Sequence, residues 1–423
     1  MQQFSIWVGI DWGTQAHQVC VMDSSQRVVA ELSVPHTGEA IAKFVDDLVG
    51  MAKGEPGIVA VAIETPRGAI VETLIDRGIA VFSINPKQLD RFRDRHTVAG
   101  AKDDRRDAFV LSDSLRTDGP KFRRIRLADP DIVQIRELVR VHEDLSQEVN
   151  ALGNRLQDQL RRYYPQVLEL GSVHDEPWIW DVLQAVPTPA SAIHITRAKV
   201  AAILARSRIR RLDANAVLGT LRKAPLHVAP GVVEASVEHI TLLLPRLRLA
   251  HEQRRHCQRR MEQLLDQLGE PASEDEKREH RDAEILRSLP GVGTLVGATM
   301  LAEATQPLEE RDYRSLRALC GVAPVTRQSG KSSTVMMRRA CNARLRQAVF
   351  HWARISISHD PRATEHYARL RAKGHSFGRA LRGVADRLLQ MLIAMLNQRE
   401  LYDACRRQSA GQPKTPELQP AGA

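Results

Sequence analysis

The sequence has little cysteine and no paired cysteine motif. Its five cysteines (Cys20, Cys257, Cys320, Cys341, Cys405) are scattered and odd in number, with no Cys-x-x-Cys among them. Neither a zinc site nor a disulfide framework is implied, and the thiols read as small buried hydrophobes. No apolar run is long enough to span a bilayer, so no membrane partner is expected. The N-terminus also lacks the basic start, apolar core and small-residue cleavage site of a secretory leader, so the expectation is a cytoplasmic protein.

What is present is length and an uneven charge. The 423 residues suffice for two or three domains, and the net charge is +10. Residues 1–120 hold 13 Lys and Arg against 17 Asp and Glu, a net of −4; the remainder holds 48 against 34, a net of +14. An acidic first region suits cations, and a basic remainder suits phosphate backbones.

The chain is organised around Ser5-Ile6-Trp7-Val8-Gly9-Ile10-Asp11, an apolar run ending in one carboxylate before a turn at Gly13. That pattern predicts a buried strand carrying an acid to a sheet edge. Strands are predicted at Val8–Asp11, His17–Met22 and Arg27–Leu32, then a helix over 38–53 stopped by Gly54-Glu55-Pro56-Gly57. A strand over 58–63 follows and ends at Glu64. A helix over 68–77, a strand at Ile79–Ile84, a helix after Asn85-Pro86 and a last helix over 103–116 complete the region. Three strands, helix, strand, helix, strand, helix is the order of the ribonuclease H-like α/β fold. Asp104 and Asp107, three apart, share a helix face, and Asp103 points elsewhere.

Four converging carboxylates, Asp11, Glu64, Asp104 and Asp107, repel one another unless cations hold them ionised. Hard oxygen ligands suit Mg²⁺ or Mn²⁺, and a pair of ions can clamp the attacking and leaving oxygens of a phosphodiester. Gly9-Ile10-Asp11-Trp12-Gly13-Thr14 also resembles the first phosphate-binding motif of sugar kinases and actin-like ATPases. That reading needs a second Asp-Gly-Thr turn and a Gly-rich adenosine motif, and the sequence has neither.

Residues 131–162 predict a long helix with Ile135, Leu138, Leu145, Val149, Leu152 and Leu156 at heptad positions and His142 in one of the slots. Residues 237–268 predict a second, with Leu247, Ala250, Cys257, Met261, Leu264 and Leu268, kinked or started by Pro245. The two helices pair either within one chain or between subunits. The intervening 175–235 is a basic helical insert containing Arg206-Ser207-Arg208-Ile209-Arg210-Arg211, either a solvated face or a phosphate-tracking surface.

Residues 282–405 form a third, all-α unit. Leu289-Pro290-Gly291-Val292-Gly293 has the pattern of a helix-hairpin-helix turn, in which Gly291 and Gly293 let backbone amides approach a phosphate. Arg327-Gln328-Ser329-Gly330-Lys331-Ser332-Ser333 reads as a polar turn. In it Ser329 is a candidate nucleophile flanked by the cations Arg327 and Lys331. A basic helical run with Arg338, Arg339, Arg344 and Arg346 follows, and 408–423 is Gln/Pro/Gly/Ala-rich and expected to be disordered. The expected division is 1–120, a catalytic domain; 121–281, a helical coiled-coil connector with the basic insert; 282–405, the C-terminal domain; and 406–423, a tail.

Gly9-Ile10-Asp11, Ala62-Ile63-Glu64-Thr65, Asn85-Pro86 and Lys102-Asp103-Asp104-Arg105-Arg106-Asp107-Ala108 resemble the DEDD, RuvC-like domain of the IS one-ten insertion-sequence transposases. Leu289 to Gly293, Gly321-Val322-Ala323-Pro324, Ser329-Gly330, Asn342 and Leu345-Arg346 resemble that family's C-terminal transposase domain. The resemblance covers about the first 120 residues and 285–400, and it implies a DNA transposase or recombinase. Asp11, Glu64, Asp104 and Asp107 would be its metal ligands, with two Mg²⁺ or Mn²⁺ ions. Ser329 would be the nucleophile that bonds covalently to DNA. Arg105, Arg106, Gly291, Gly293, Arg327, Lys331, Arg338 and Arg339 would contact nucleic acid.

The partners implied are donor and target DNA and a structured non-coding guide RNA from the element, the bridge RNA. The assembly implied is a homo-oligomer, dimer or tetramer, in which one subunit's acidic domain meets another's serine domain, in the nucleoid of a bacterial or archaeal cell. Asp103 stands where the family more often has a small polar residue, and Cys341 where glycine is common. The rival readings are a junction-resolving metal-dependent nuclease that uses water, and a catalytically inactive nucleic-acid-binding protein.

Overall fold

The structure is a computed structural model that describes residues 4–93, 95, 103–126, 129–270, 281–330 and 332–404. Lys102, Lys331, Cys405 and the tail 406–423 lie outside the described residues. The chain divides into two compact units, Met1–Ala128 and Asp129–Ala423.

The first unit runs β1 (Ile6–Asp11), β2 (Ala16–Asp23), β3 (Val28–Pro35), α1 (Gly38–Met51), β4 (Val59–Ile63), α2 (Ala69–Asp76), β5 (Ala80–Ser83), α3 (Pro86–Arg93), α4 (Asp104–Asp118) and β6 (Arg123–Arg124). The strands form one mixed sheet in the order β3-β2-β1-β4-β5-β6. β1 is antiparallel to β2 and parallel to β4, and β5 is antiparallel to β6. This arrangement is consistent with a ribonuclease H-like fold. The two-residue β6 is too short to leave a periodic signal in the sequence.

Strand alternation sorts the core into two layers. Val8, Ile10, Val59, Val61 and Ile63 pack with Ile41, Phe44, Leu48, Ile70 and Leu74 of α1 and α2. Ala60 and Ala62 face the other way and pack with Val110, Leu111 and Leu115 of α4. Small residues there let α4 lie close against the sheet.

The second unit contains α5 (Pro130–Tyr163), α6 (Pro177–Ala185), α7 (Arg197–Arg206), α8 (Ala214–Leu221), α9 (Val232–Gly269), α10 (Asp282–Ser288), α11 (Thr294–Glu303), α12 (Thr305–Glu309) and α13 (Tyr313–Leu319). A hairpin follows, β7 (Val325–Ser329) and β8 (Ser332–Met336), then α14 (Ala343–His359), α15 (Pro361–Ala372) and α16 (Phe377–Gln398). The region is therefore mostly helical, and the expectation of an all-α C-terminal domain is corrected. Val325-Thr326 and Thr334-Val335 supply β-branched residues on both sides of a Gly330-containing turn, which favours strands over a loop. The expected basic helix is also corrected: Arg338 and Arg339 precede α14, and Arg344 and Arg346 lie in it.

α5 and α9 pack against each other within the chain. Val149, Leu152, Leu156 and Leu160 share a core with Ile240, Leu243, Leu244 and Leu247, and Arg260 donates to Gln134 at 3.3 Å, so the helices run antiparallel. Pro245 lies inside α9, which begins thirteen residues earlier at Val232. Cys20, Cys257 and Cys320 are buried and Cys341 is half-buried. Burial pushes the Cys20 and Cys320 thiols up to about 12, as expected of inert core thiols. Among the described residues, no helix is long and apolar enough to cross a membrane.

Candidate metal centre and serine hairpin

The acidic end of the sheet is built by one glycine. Gly9 lies beneath α4, where a Cβ would stand 1.9 Å from the Ala108 carbonyl oxygen and 2.5 Å from the Ser112 nitrogen. The Ser112 hydroxyl donates to the Trp7 carbonyl at 3.0 Å. Two strand residues advance about as far as four helix residues. Ser112 over Trp7 and Ala108 over Gly9 therefore carry the first turn of α4, with Asp104, toward Asp11. Trp7, Gly9 and Asp11 share one strand face. Ile10 pairs with Ile63, so Glu64 leaves β4 beside the end of β1.

The four predicted acids thus lie on elements that meet at one end of the sheet, in different environments. Asp11 and Glu64 are half-buried, Asp104 is exposed and Asp107 is 1% exposed. Asp107 accepts from Arg93 at both oxygens, Nε to Oδ1 at 2.5 Å and Nη2 to Oδ2 at 2.6 Å. Arg93 Nη1 donates to Asp90 at 2.6 Å. The hydrogen bonds that Arg93 donates to Asp107, followed by the charges of Asp107, Asp90 and Glu64, favour the charged guanidinium, while its partial burial opposes them. Among the described residues, no three Asp, Glu, His or Cys side chains lie close enough together to hold a metal ion. The residue types, though not their present spacing, are those a hard divalent cation takes. Their donors are all carboxylate oxygens, and the buried Asp107 already has a cationic partner in Arg93.

Asp103 caps α4, accepting from the Arg105 amide at 3.2 Å. A small polar residue would cap equally well, and one Asp103 carboxylate oxygen is engaged with the backbone of α4. Arg105 is exposed and Arg106 half-buried. The sequence reading missed Gly9 and Arg93. A glycine inside an apolar strand signals close backbone approach, whereas nothing local distinguishes Arg93 from Arg91. It also missed a histidine pair. Buried His17 Nδ1 accepts from the Gly13 amide at 3.3 Å, and its Nε2 lies 2.9 Å from His36 Nδ1. Burial, then His36, lowers the pKa of His17.

Ser329 ends β7 opposite Ser332, and every residue of β8 is exposed. Gly330 has φ +56°, the left-handed conformation that a tight hairpin needs. Arg327 is exposed, and Arg338 donates to the Ala323 carbonyl at 3.3 Å. Arg339 is exposed. Cys341 lacks a positive φ, so its backbone does not require glycine; Gly321, with φ +69°, faces it instead.

In the Pro-Gly-Val-Gly turn, Gly291 has φ +83° and lies against α14, where a Cβ would stand 3.1 Å from the Ser356 nitrogen. Trp352 Nε1 and the Ser356 hydroxyl both donate to the Pro290 carbonyl, at 2.9 and 2.8 Å. Gly291 therefore docks the turn on α14, and Gly293 begins α11 with no side-chain cap. In the basic insert, Arg206 pairs with Asp181 and Arg211 with Glu176, while Arg208 and Arg210 are exposed.

A family profile described as Transposase, the DEDD type of IS110, matches residues 8–165. A second, described as Transposase IS116/IS110/IS902 family, matches residues 283–368. The candidate mini-circle transposase for IS117 of Streptomyces coelicolor is 33% identical over 408 residues, 94% of this chain and 95% of that protein. The candidate transposase y4uE of Sinorhizobium fredii is 46% identical over 211 residues, 49% of this chain and 58% of that protein. The 43.6 kDa protein of insertion element IS110 from Streptomyces coelicolor is 25% identical over 95% of this chain and 96% of its own length. A transposase binds and processes DNA, and a DEDD domain implies the use of divalent metal in general. The chain belongs to the IS110 family of insertion-sequence transposases.

Proposed function

We propose that the protein is a Mg²⁺-dependent DNA recombinase that cuts and rejoins strands through a covalent bond between DNA and Ser329. What supports the acidic half is the packing of α4 on Gly9, which brings the first turn of α4 near the end of the sheet where β1 ends at Asp11 and β4 is followed by Glu64. Asp11, Glu64, Asp104 and Asp107 would hold the ions. Bound there, two divalent ions supply Lewis-acid charge to the oxygens of the scissile phosphate.

The chain's own residues perform the rest. The Ser329 oxygen attacks phosphorus and gives up its proton; a Ser–O–P bond forms and the P–O bond to one sugar breaks. The proton ends on the departing sugar hydroxyl. The phosphodiester energy is kept in the serine link, so rejoining needs no ATP. Ser329 is suited to this role by its place at the tip of an exposed hairpin, which a DNA strand can reach. Arg327, Lys331, Arg338, Arg339, Arg105 and Arg106 contribute phosphate contacts, as do the amides near Gly291 and Gly293. The basic remainder of the chain holds a structured guide RNA, which reads donor and target DNA by base pairing, and the working form is a dimer or tetramer.

One incubation tests this reading. The protein is mixed with Mg²⁺, labelled target DNA and RNA transcribed from the flanks of the gene, then run on a denaturing gel. A covalent protein–DNA band is expected, absent in Ser329→Ala and Asp11→Asn. Cleavage that persists in Ser329→Ala without such a band would assign the reaction to water, and binding without any cleavage would remove the enzyme.

A further inference from the structure

We propose that Arg93 is a resident cation at the acidic end of the sheet, a latch that divalent metal must displace from Asp107 and that a DNA phosphate helps to release. This rests on the metal-dependent reading above. Asp107 is buried, and a buried carboxylate needs a counter-charge. Arg93 provides it through a two-pronged fork, with one nitrogen on each carboxylate oxygen. A guanidinium fork lies in the carboxylate plane and takes the inward lone pairs of both oxygens. A metal ion bound to Asp107 from that side needs the same lone pairs. The two cations therefore compete directly.

The surroundings of Arg93 fit an exchange. It is the last residue of α3, and its side chain is 24% exposed against 2% for Asp107. Its third nitrogen already reaches outward to Asp90, whose side chain is 65% exposed. Glu64, the acid at the end of β4, is near enough for its charge to act on the same guanidinium, after Asp107 and Asp90. One side chain thus pairs with one proposed ligand, Asp107, and lies within electrostatic reach of a second, Glu64. A guanidinium that leaves Asp107 needs another anion, and a phosphodiester offers the matching fork geometry. Metal entry and DNA binding become linked, each strengthening the other. The consequence is a site that holds metal weakly until DNA arrives. Arg93 acts through Asp107 and is a positioning residue.

The test is Mn²⁺ binding to the full chain, read by the electron paramagnetic resonance of free Mn²⁺. Wild type, Arg93→Lys and Arg93→Gln are compared with and without a duplex DNA oligonucleotide, after subtracting Mn²⁺ bound to DNA alone. Without DNA, both variants are expected to bind Mn²⁺ about tenfold more tightly than wild type, and the duplex should tighten wild type by a similar factor while leaving the variants unchanged. Arg93→Lys keeps the charge and cannot fork, so it decides the matter if Arg93→Gln fails to fold. Equal or weaker Mn²⁺ binding in a folded Arg93→Lys, alongside wild-type binding that Asp11→Asn abolishes, overturns the latch and leaves the metal reading standing. No Mn²⁺ binding by wild type in either condition overturns both.

Discussion

Asp107 and Ser329 sit in opposite physical settings. Asp107 is 1% exposed, on a helix pressed against the sheet, with both oxygens held by an arginine. Ser329 ends a strand whose last four residues are exposed, in a two-stranded hairpin. The first environment fixes a charged group by burial and pairing. The second leaves a hydroxyl where a large partner can approach. In the proposed reaction, a site that positions ions would need rigidity, and a nucleophile that must reach a DNA strand would need access.

The comparison can be broken at its tightest contact. Gly9→Val places atoms where the Ala108 carbonyl stands 1.9 Å from a Cβ, so α4 must lift from the sheet. We expect a loss of at least about 3 kcal/mol in urea unfolding of the protein. At Gly330 a Cβ meets nothing within 4 Å, and only φ +56° opposes a side chain. Gly330→Ala should therefore cost about 1 kcal/mol. Equal costs at the two glycines would mean that α4 does not pack as described.

Asp107→Ala removes a buried charge together with its fork and leaves Arg93 to Asp90 and solvent. The expected loss is about 2 kcal/mol by the same measurement. Unchanged stability would show that the pair offsets its own desolvation and no more.

The histidine pair gives the first unit a pH dependence. The pKa of His17 is lowered from 6.5 by burial and by His36, so the unfolded chain binds its proton more readily than the folded one. Stability is full above the unfolded value and falls as pH drops below about 6.5, by up to about 1.4 kcal/mol per pH unit. Thermal melts between pH 7.5 and 5.5 should show the decline, with a smaller one in His17→Gln. A flat profile in wild type would remove His17 as its source.

Ser329→Ala should have the smallest effect on folding, within about 0.5 kcal/mol of wild type, because the side chain lies on an exposed strand. A clearly lowered melting temperature would show that the hydroxyl supports the hairpin.

Much of the first unit was legible from its residues. Val8 and Ile10 alternate with Gly9, Glu64 closes an all-buried strand, and Asp104 and Asp107 are spaced for one helix face. From the sequence alone the hairpin around Ser329 reads as a turn, because its strands are five residues each and mostly polar. Such strands show no alternation between a buried and an exposed face.

By itself the sequence determined the element order of the first unit up to α4, the positions of its acids along the chain and the two long helices, because local periodicity and turn residues encode those directly. The chain that started from Asp11 acquired its environment only in three dimensions. Arg93 forks onto Asp107 from fourteen residues away, α4 rests on a glycine about a hundred residues before it, and α5 pairs with α9 of the same chain. Those outcomes depend on which surfaces meet once the chain is compact, and spacing along the chain carries no record of that.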